Sequence, residues 1–306
     1  MIVKTNPEFG IELALSVPYA YSLHKQGKLE GVVTSKGMKP FYYFCDNVSE
    51  EFTSRTIDNA AAGLNTLPNN WIHGVNSIEE PGVLNYDEWE VPPYREHYKN
   101  EEFNMGKMVF ICNKINYEHG HAPVGFFDVK SLYEMFVYLT EQGYKVIYKR
   151  PKNTEFPIDQ NEVGTVQQGL DIRADVEGVG VISDRDLPKY FDDVYLFDDL
   201  VGKYDYNITQ MKLMANTDYF ISQSGGNTIL SCLWDRPIIS YVTQGKELRP
   251  NYFGKNGYFQ KMSNQKCIPV FDVIEGIDKD TYGHKLNKTG KNDYTELLEV
   301  MRNEIK

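Results

Sequence analysis

Cysteine is scarce in this 306-residue chain: Cys45, Cys112, Cys232 and Cys267 stand far apart and form no CxxC pair. That spacing supplies neither a zinc site nor a disulfide framework, and it fits a reducing compartment. Long apolar runs are missing too. No segment approaches the roughly 18 residues of a membrane span, and the opening MIVKTNPEFG has no basic stretch followed by an apolar one, so the expected location is the cytoplasm. Positive charge is in deficit, with 32 Lys and Arg against 43 Asp and Glu and a net charge of -11. An acidic surface suits neither a phosphate backbone nor an anionic membrane, so nucleic acid is not an expected partner, although a local basic pocket is.

Several signatures are also lacking. There is no GxGxxG after the first strand and no GxxxxGK[ST], which argues against dinucleotide oxidoreductases and P-loop NTPases. HExxH and GxSxG are missing, and the pair His119 and His121 has no cysteine beside it to complete a metal site. No metal is therefore expected. Asp184-Arg185-Asp186 has the DxD form of some metal-dependent sugar transferases, but 43 acidic residues produce such triplets by chance.

What the chain has in surplus is aromatic: 22 Tyr, 16 Phe and 3 Trp. Tyrosine in that number serves cores, interfaces or sugar-stacking surfaces. The length suggests two compact domains. Periodicity predicts a strand at 2–4, a helix with Ile11, Ala14, Leu15, Tyr19 and Leu23 on one face, kinked or restarted at Pro18, and a strand at 29–34. Residues 87–107 are dense in charge and contain Pro92-Pro93, which predicts an irregular interdomain linker. Beyond it, strands are predicted at 108–112, 144–148, 179–182, 194–197, 219–221 and 238–242. Helices are predicted at 129–141, 208–215, 227–233 and 294–305. This alternation implies a parallel sheet covered on both faces. The expected division is an N-terminal domain at 1–100, a C-terminal domain at 101–290 and a final helix at 291–306.

The most informative stretch is 218–250. An apolar strand runs into Ser222-Gln223-Ser224-Gly225-Gly226, and a helix opens directly after the glycines. Freed backbone amides and the positive end of a helix dipole make a site for a phosphate or diphosphate, although a tight strand-to-helix turn needs glycine equally well. The next strand ends in Thr243-Gln244-Gly245-Lys246-Glu247, a second polar loop at the same edge, with Glu247 suited to ribose hydroxyls.

Five segments then resemble a family: Asn113-Lys114-Ile115-Asn116-Tyr117-Glu118, residues 123–127, Tyr148-Lys149-Arg150-Pro151, the run from Asn207 to Gln210, and residues 220–226. Together they look like the pattern of GT-B-type glycosyltransferases encoded by chlorella viruses and by algal and bacterial surface-glycan clusters. Members of the xylosyltransferase and fucosyltransferase type are the most similar. The resemblance runs from about Glu8 to Glu247 and is specific after Lys107; the chain is shorter than a typical GT-B enzyme. It implies an α/β fold of two Rossmann-like domains facing across a cleft, in compact form. It also implies a UDP- or GDP-linked sugar donor held by the C-terminal domain without a cofactor, and an oligosaccharide or glycoprotein glycan as acceptor. The transferred sugar would be a pentose or deoxyhexose such as xylose or fucose, in surface or capsid glycan synthesis, within the host cytoplasm if a virus encodes the chain.

On that resemblance, Lys149 and Arg150 offset the charge of the diphosphate leaving group. Lys114 is a phosphate partner and Glu118 a hydroxyl binder, with Asn113 and Asn116 beside them. Gln210 contacts the donor, and Asn207 either does so or caps its helix. Ser222, Ser224, Gly225, Gly226 and Asn227 form the diphosphate turn. An inverting transferase also needs a base for the acceptor hydroxyl. Glu8 is the first choice, with Glu12 nearby, and His73 and Asp46 are the alternates; Glu8 as a first-turn acid and His73 as a structural residue are equally open. Two other functions fit the same scaffold, a nucleotide-sugar epimerase and a noncatalytic nucleotide- or glycan-binding protein.

Overall fold

The computed structural model describes residues 1–55, 89–115, 125–150, 171–243, 252–253, 258–263, 265–272 and 292–306. Strands β1 (Ile2–Lys4), β2 (Gly31–Ser35) and β3 (Val48–Phe52) form a parallel three-stranded sheet in the order β1-β2-β3. The predicted first helix is present but composite. It begins as α1 (Phe9–Ile11), passes through a π-helical segment (Glu12–Ser16), and continues as α2 (Val17–Lys25) with Pro18 in its first turn. Proline explains the change. An α-helix would bond the carbonyl of Ala14 to the N–H of residue 18, which Pro18 lacks. The indole N–H of Trp89 donates to that carbonyl instead, at 2.8 Å.

The second sheet has six strands, all parallel to their neighbours: β4 (Met108–Cys112), β5 (Lys145–Lys149), β8 (Val194–Leu196), β9 (Tyr219–Gln223), β10 (Ile238–Val242) and β11 (Cys267–Phe271). They run in the spatial order β11-β10-β9-β4-β5-β8. Numbered from β4, this is the doubly wound order 3-2-1-4-5-6 of a Rossmann sheet. The all-apolar run from Met108 to Cys112 is buried throughout, as a central strand covered on two faces must be. One face packs on α4 (Val129–Glu141) through Leu132, Met135, Phe136 and Leu139, and on α9 (Thr295–Glu304) through Leu297, Leu298 and Met301. The other packs on α6 (Tyr206–Asn216) and α7 (Gly226–Cys232), and a single-turn helix α5 (Phe197–Leu200) follows β8 directly. Helix α8 (Tyr258–Ser263) packs on α7. The fold is therefore α/β, with two parallel sheets.

Two expectations change. The strand predicted at 179–182 is β7 (Gly180–Ser183), which lies outside the large sheet and pairs antiparallel with β6 (Arg173–Val176). Part of the stretch read as an irregular linker is helical, α3 (Tyr94–Tyr98), with Pro93 as its N-cap. Tyr94 is fully buried and donates to the carbonyl of Phe41 at 2.7 Å, and Tyr98 donates to that of Pro40 at 2.6 Å. Burial of two aromatic rings outweighs the local effect of the two prolines. After β2, Lys39–Tyr42 forms a 3-10 turn. One continuous apolar cluster joins the small sheet's helix to the α6 and α7 face of the large sheet.

Candidate active site

In a sheet of order 3-2-1-4-5-6, β4 and β9 are the neighbours from which the chain winds in opposite directions, and ligands bind outside their carboxyl ends. Two side chains tie that point together. Gln223 donates to Asn113 Oδ1, and Gln223 Oε1 accepts the backbone N–H of Lys114 at 2.9 Å. Asn113 is fully buried and saturated. Its amide donates to Phe127 O at 3.0 Å and to Tyr148 Oη at 2.9 Å, while Oδ1 also accepts the N–H of Phe127 at 2.9 Å. Asn113 therefore holds the loop after β4 in place and has no hydrogen-bonding capacity left for a donor molecule.

Lys149 ends β5 opposite Cys112, which lies opposite Ser222, so the three share one level of the sheet over about 10 Å. Lys149 is buried on the α6 face, where its ammonium donates to Gln210 Oε1 and lies 5.7 Å from the centre of the Tyr206 ring. Three cations are buried among the described residues. Arg55 is paired with Glu12 and Arg150 with Asp184, but no carboxylate among the described residues lies within ion-pair distance of Lys149. Burial consequently pushes its pKa down, and Cys112 and Asp198 pull it only partly back. The Cys112 thiol is pushed up to about 11 by the same burial. A buried ammonium with only neutral partners is stabilised by an incoming anion.

Arg150 is different. Successive residues point to opposite faces, so it lies on the α4 side, fully buried, with Nε 2.9 Å from Asp184 Oδ2. Asp184 also accepts from Tyr148 Oη at 2.7 Å and from the N–H of Ile172 at 3.0 Å. Its charge is spent internally, and it does not join Lys149. The DxD triplet divides in the same way, because Asp186 bonds Ser183 and Lys189 at the surface. Among the described residues no group of three metal-binding side chains occurs.

The turn after β9 has the predicted geometry. Gly225 takes φ 101° and ψ -150°, a conformation open to glycine alone, and α7 starts at Gly226. Ser224, Gly225, Gly226 and Asn227 are partly exposed at the carboxyl edge. Ser222 is not: its hydroxyl is buried against Thr228 Oγ1 at 2.9 Å, which in turn meets Ser240 Oγ at 2.9 Å, so it anchors α7 to the strands. Asn207 does not cap α6. Asp205 caps that helix, its Oδ1 accepting from Ile208 N at 2.8 Å, and Asn207 donates to Gly37 O at 2.6 Å.

The first helix meets this turn directly. A Cβ on Gly10 would lie 3.4 Å from Gly226 Cα and 3.0 Å from Ile229 Cδ1, so α1 and α7 approach closely at position 10, with little room for a side chain there. Glu8, the N-cap of α1, is two residues from that contact and half-buried. Glu12 is fully buried, paired with Arg55 Nη1 at 2.6 Å, and accepts from Thr34 and, at 3.0 Å, from Tyr42. Arg55 Nη1 also donates to the carbonyl of Pro7 at 2.8 Å, so this pair braces the loop that carries Glu8. Asp46 is exposed just before β3, at the amino edge of the small sheet, whereas Glu8 follows the carboxyl end of β1. The 3-10 turn returns the chain to the amino edge, and this separates Asp46 from the other candidates. His73, Asn116, Glu118 and Glu247 lie outside the described residues.

One polar group at the edge escaped the sequence reading. Thr243, just after β10, is buried, and its Oγ1 has no hydrogen-bond partner among the described residues. A Cβ on Gly125 would come within 2.6 Å of that oxygen. The signal available was its strand-final position in the second polar loop.

No family model matches the chain, and no curated protein matches it. Two solved structures are similar. A glycosyl transferase family 9 protein from Veillonella parvula DSM 2008 is 11% identical over 88% of this chain and 85% of that one, with a TM-score of 0.48. The iron-containing dodecameric glycosyltransferase TibC from enterotoxigenic E. coli H10407 is 13% identical over 92% of this chain and 62% of its own, with a TM-score of 0.43.

Proposed function

We propose that the chain is a glycosyltransferase that moves a sugar from a nucleotide-sugar donor to a hydroxyl of a glycan acceptor. The observation that carries this reading is the buried ammonium of Lys149, with no carboxylate partner among the described residues, on the sheet face that also supports the Gly225-Gly226 turn. In this reading the donor diphosphate accepts hydrogen bonds from the backbone amides opening α7, and Lys149 compensates its charge. As the bond from the anomeric carbon to the diphosphate oxygen breaks, the electron pair goes to that oxygen, and the positive environment stabilises it. The acceptor hydroxyl forms the new bond from the opposite face, and Glu8 takes its proton, giving inversion. Ser224, Asn227 and the hydroxyl of Thr243, unpartnered among the described residues, are polar groups at the same edge suited to the donor. A pentose or deoxyhexose is the favoured sugar, carried on UDP or GDP.

The test is calorimetric titration of the full chain with UDP, GDP and their sugars, followed by transfer assays on a glycan panel. Micromolar nucleotide binding and sugar transfer are expected. Failure of every nucleotide to bind would overturn the site, and turnover of a nucleotide sugar without acceptor would make the protein an epimerase.

A further inference from the structure

Gln210 and Lys149 meet on the α6 face of the large sheet, one on the helix and the other at the end of β5, and both are buried. The Lys149 ammonium donates to Gln210 Oε1. The turn of α6 before Gln210 is fixed from two sides. Asp205 caps the helix, its Oδ1 accepting from Ile208 N at 2.8 Å, and Asn207 donates at 2.6 Å to the carbonyl of Gly37, which follows β2 of the small sheet. Helix α6 thus presents Gln210 Oε1 at a fixed place, and the ammonium takes its position from the helix.

What else faces that ammonium among the described residues is neutral or already engaged. From β4 comes the Cys112 thiol, pushed up to about 11 by burial and so uncharged at neutral pH. From α6 comes the ring of Tyr206, its centre 5.7 Å away. From α5 the carboxylate of Asp198 acts only at a distance, and it lies 3.3 Å from Arg185 Nη1. A carboxamide and a carboxylate have nearly the same shape, so glutamate at position 210 would fit the same place and close a buried ion pair. Glutamine accepts the same hydrogen bond and cancels none of the charge. Buried charges are weakly screened, so a cation held in this way attracts an anion several ångström off, and the anion need not displace Gln210.

We propose that Gln210 is a positioning residue that fixes the Lys149 ammonium without neutralising it, and so reserves that charge for an anionic ligand. For the identity of the anion, a nucleotide diphosphate, the inference rests on the transferase reading. Its test compares Gln210→Glu and Gln210→Met with the native full chain. NMR of the lysine ε-carbons, with the Lys149 signal identified by its loss in Lys149→Met, reads the Lys149 pKa. Calorimetry at neutral pH reads the affinity for UDP and for inorganic pyrophosphate. In Gln210→Glu the ammonium gains a carboxylate, so its pKa is expected to rise to the ordinary 10.5 or above. Both anions are then expected to bind about tenfold more weakly or worse. In Gln210→Met the acceptor is gone and no charge is added, so the pKa is expected to fall below the native value. A role in packing alone would not move the two variants in opposite directions. The inference is overturned if the pKa does not rise in Gln210→Glu, or if that variant binds the anions as tightly as the native chain. Should Gln210→Glu not fold, an unchanged Lys149 pKa in Gln210→Met overturns it. A native chain that binds pyrophosphate but no nucleotide would overturn the nucleotide-sugar reading and leave this one standing. Nucleotide binding undiminished in Gln210→Glu would do the reverse, and a native chain that binds neither anion would overturn both.

Discussion

Lys149 donates its buried ammonium to the side-chain carbonyl of Gln210, a neutral partner, while the two other buried cations among the described residues each face a carboxylate. The arrangement costs stability in the empty protein and favours an anion beside it. Replacing Lys149 by Met should therefore do two opposite things. Stability without ligand should rise by on the order of 1 kcal/mol, and affinity for UDP or GDP should fall at least tenfold. Urea denaturation and calorimetry measure both, and a variant that binds nucleotide normally would remove Lys149 from the site.

The same substitution has a pH signature. Burial lowers the Lys149 pKa from its ordinary 10.5, so between the lowered value and 10.5 the unfolded chain binds more protons than the folded one. Stability contributed by this group then rises with pH across that window. The advantage of Lys149→Met over the native chain should be largest below the window and shrink towards pH 10.5. Denaturation of both proteins at several pH values follows the difference, and a constant gap would contradict the assignment.

Glu8 and Glu12 are four residues apart and should respond in opposite ways. Glu12→Gln leaves Arg55 buried without its partner, which should cost about 3–5 kcal/mol and lower the thermal midpoint sharply. Glu8→Gln, at a half-buried helix start, should change stability by less than about 1 kcal/mol and abolish sugar transfer. Normal transfer by Glu8→Gln would place the base elsewhere, with His73 next to be examined.

The glycine contacts give a stability test that needs no substrate. Gly225→Ala forces a side chain into φ 101°, at a cost of about 1–3 kcal/mol. Gly10→Val adds branched bulk where a Cβ already lies 3.4 Å from the Gly226 backbone, so it should both destabilise and weaken nucleotide binding. Chemical denaturation and titration check each, and an unperturbed Gly10→Val would mean that α1 and α7 do not rely on this approach.

Trp89→Phe keeps an aromatic ring but leaves the Ala14 carbonyl without its donor inside a proline-interrupted helix. A loss of about 1–2 kcal/mol in urea denaturation is expected. No loss would mean that another donor serves that carbonyl.

Elements whose signal is local were legible in the sequence. The helix Val129–Glu141 follows from one apolar face and a capping Asp128, and β4 and β10 from short apolar runs. The glycine turn after β9 was readable for the same reason, because φ 101° at Gly225 is a demand on a single residue. β3, with the polar sequence VSEEF, was not readable, since its place is set by pairing with β2 and not by its own composition. Nor were the roles of adjacent site residues. Lys149 and Arg150 look alike as a basic pair, but the alternation of a strand sends one to the α6 face, where no described carboxylate pairs with it, and the other to Asp184.

The sequence alone determined the α/β alternation, the Gly-Gly strand-to-helix turn and the shortage of positive charge, because each depends on residue type and short spacing. Only the tertiary structure decided the 3-2-1-4-5-6 order, the contact of Gly10 with Gly226, and which buried charges are paired. Those depend on residues tens to hundreds of positions apart meeting in space, and their energies arise from desolvation and packing that no single segment encodes.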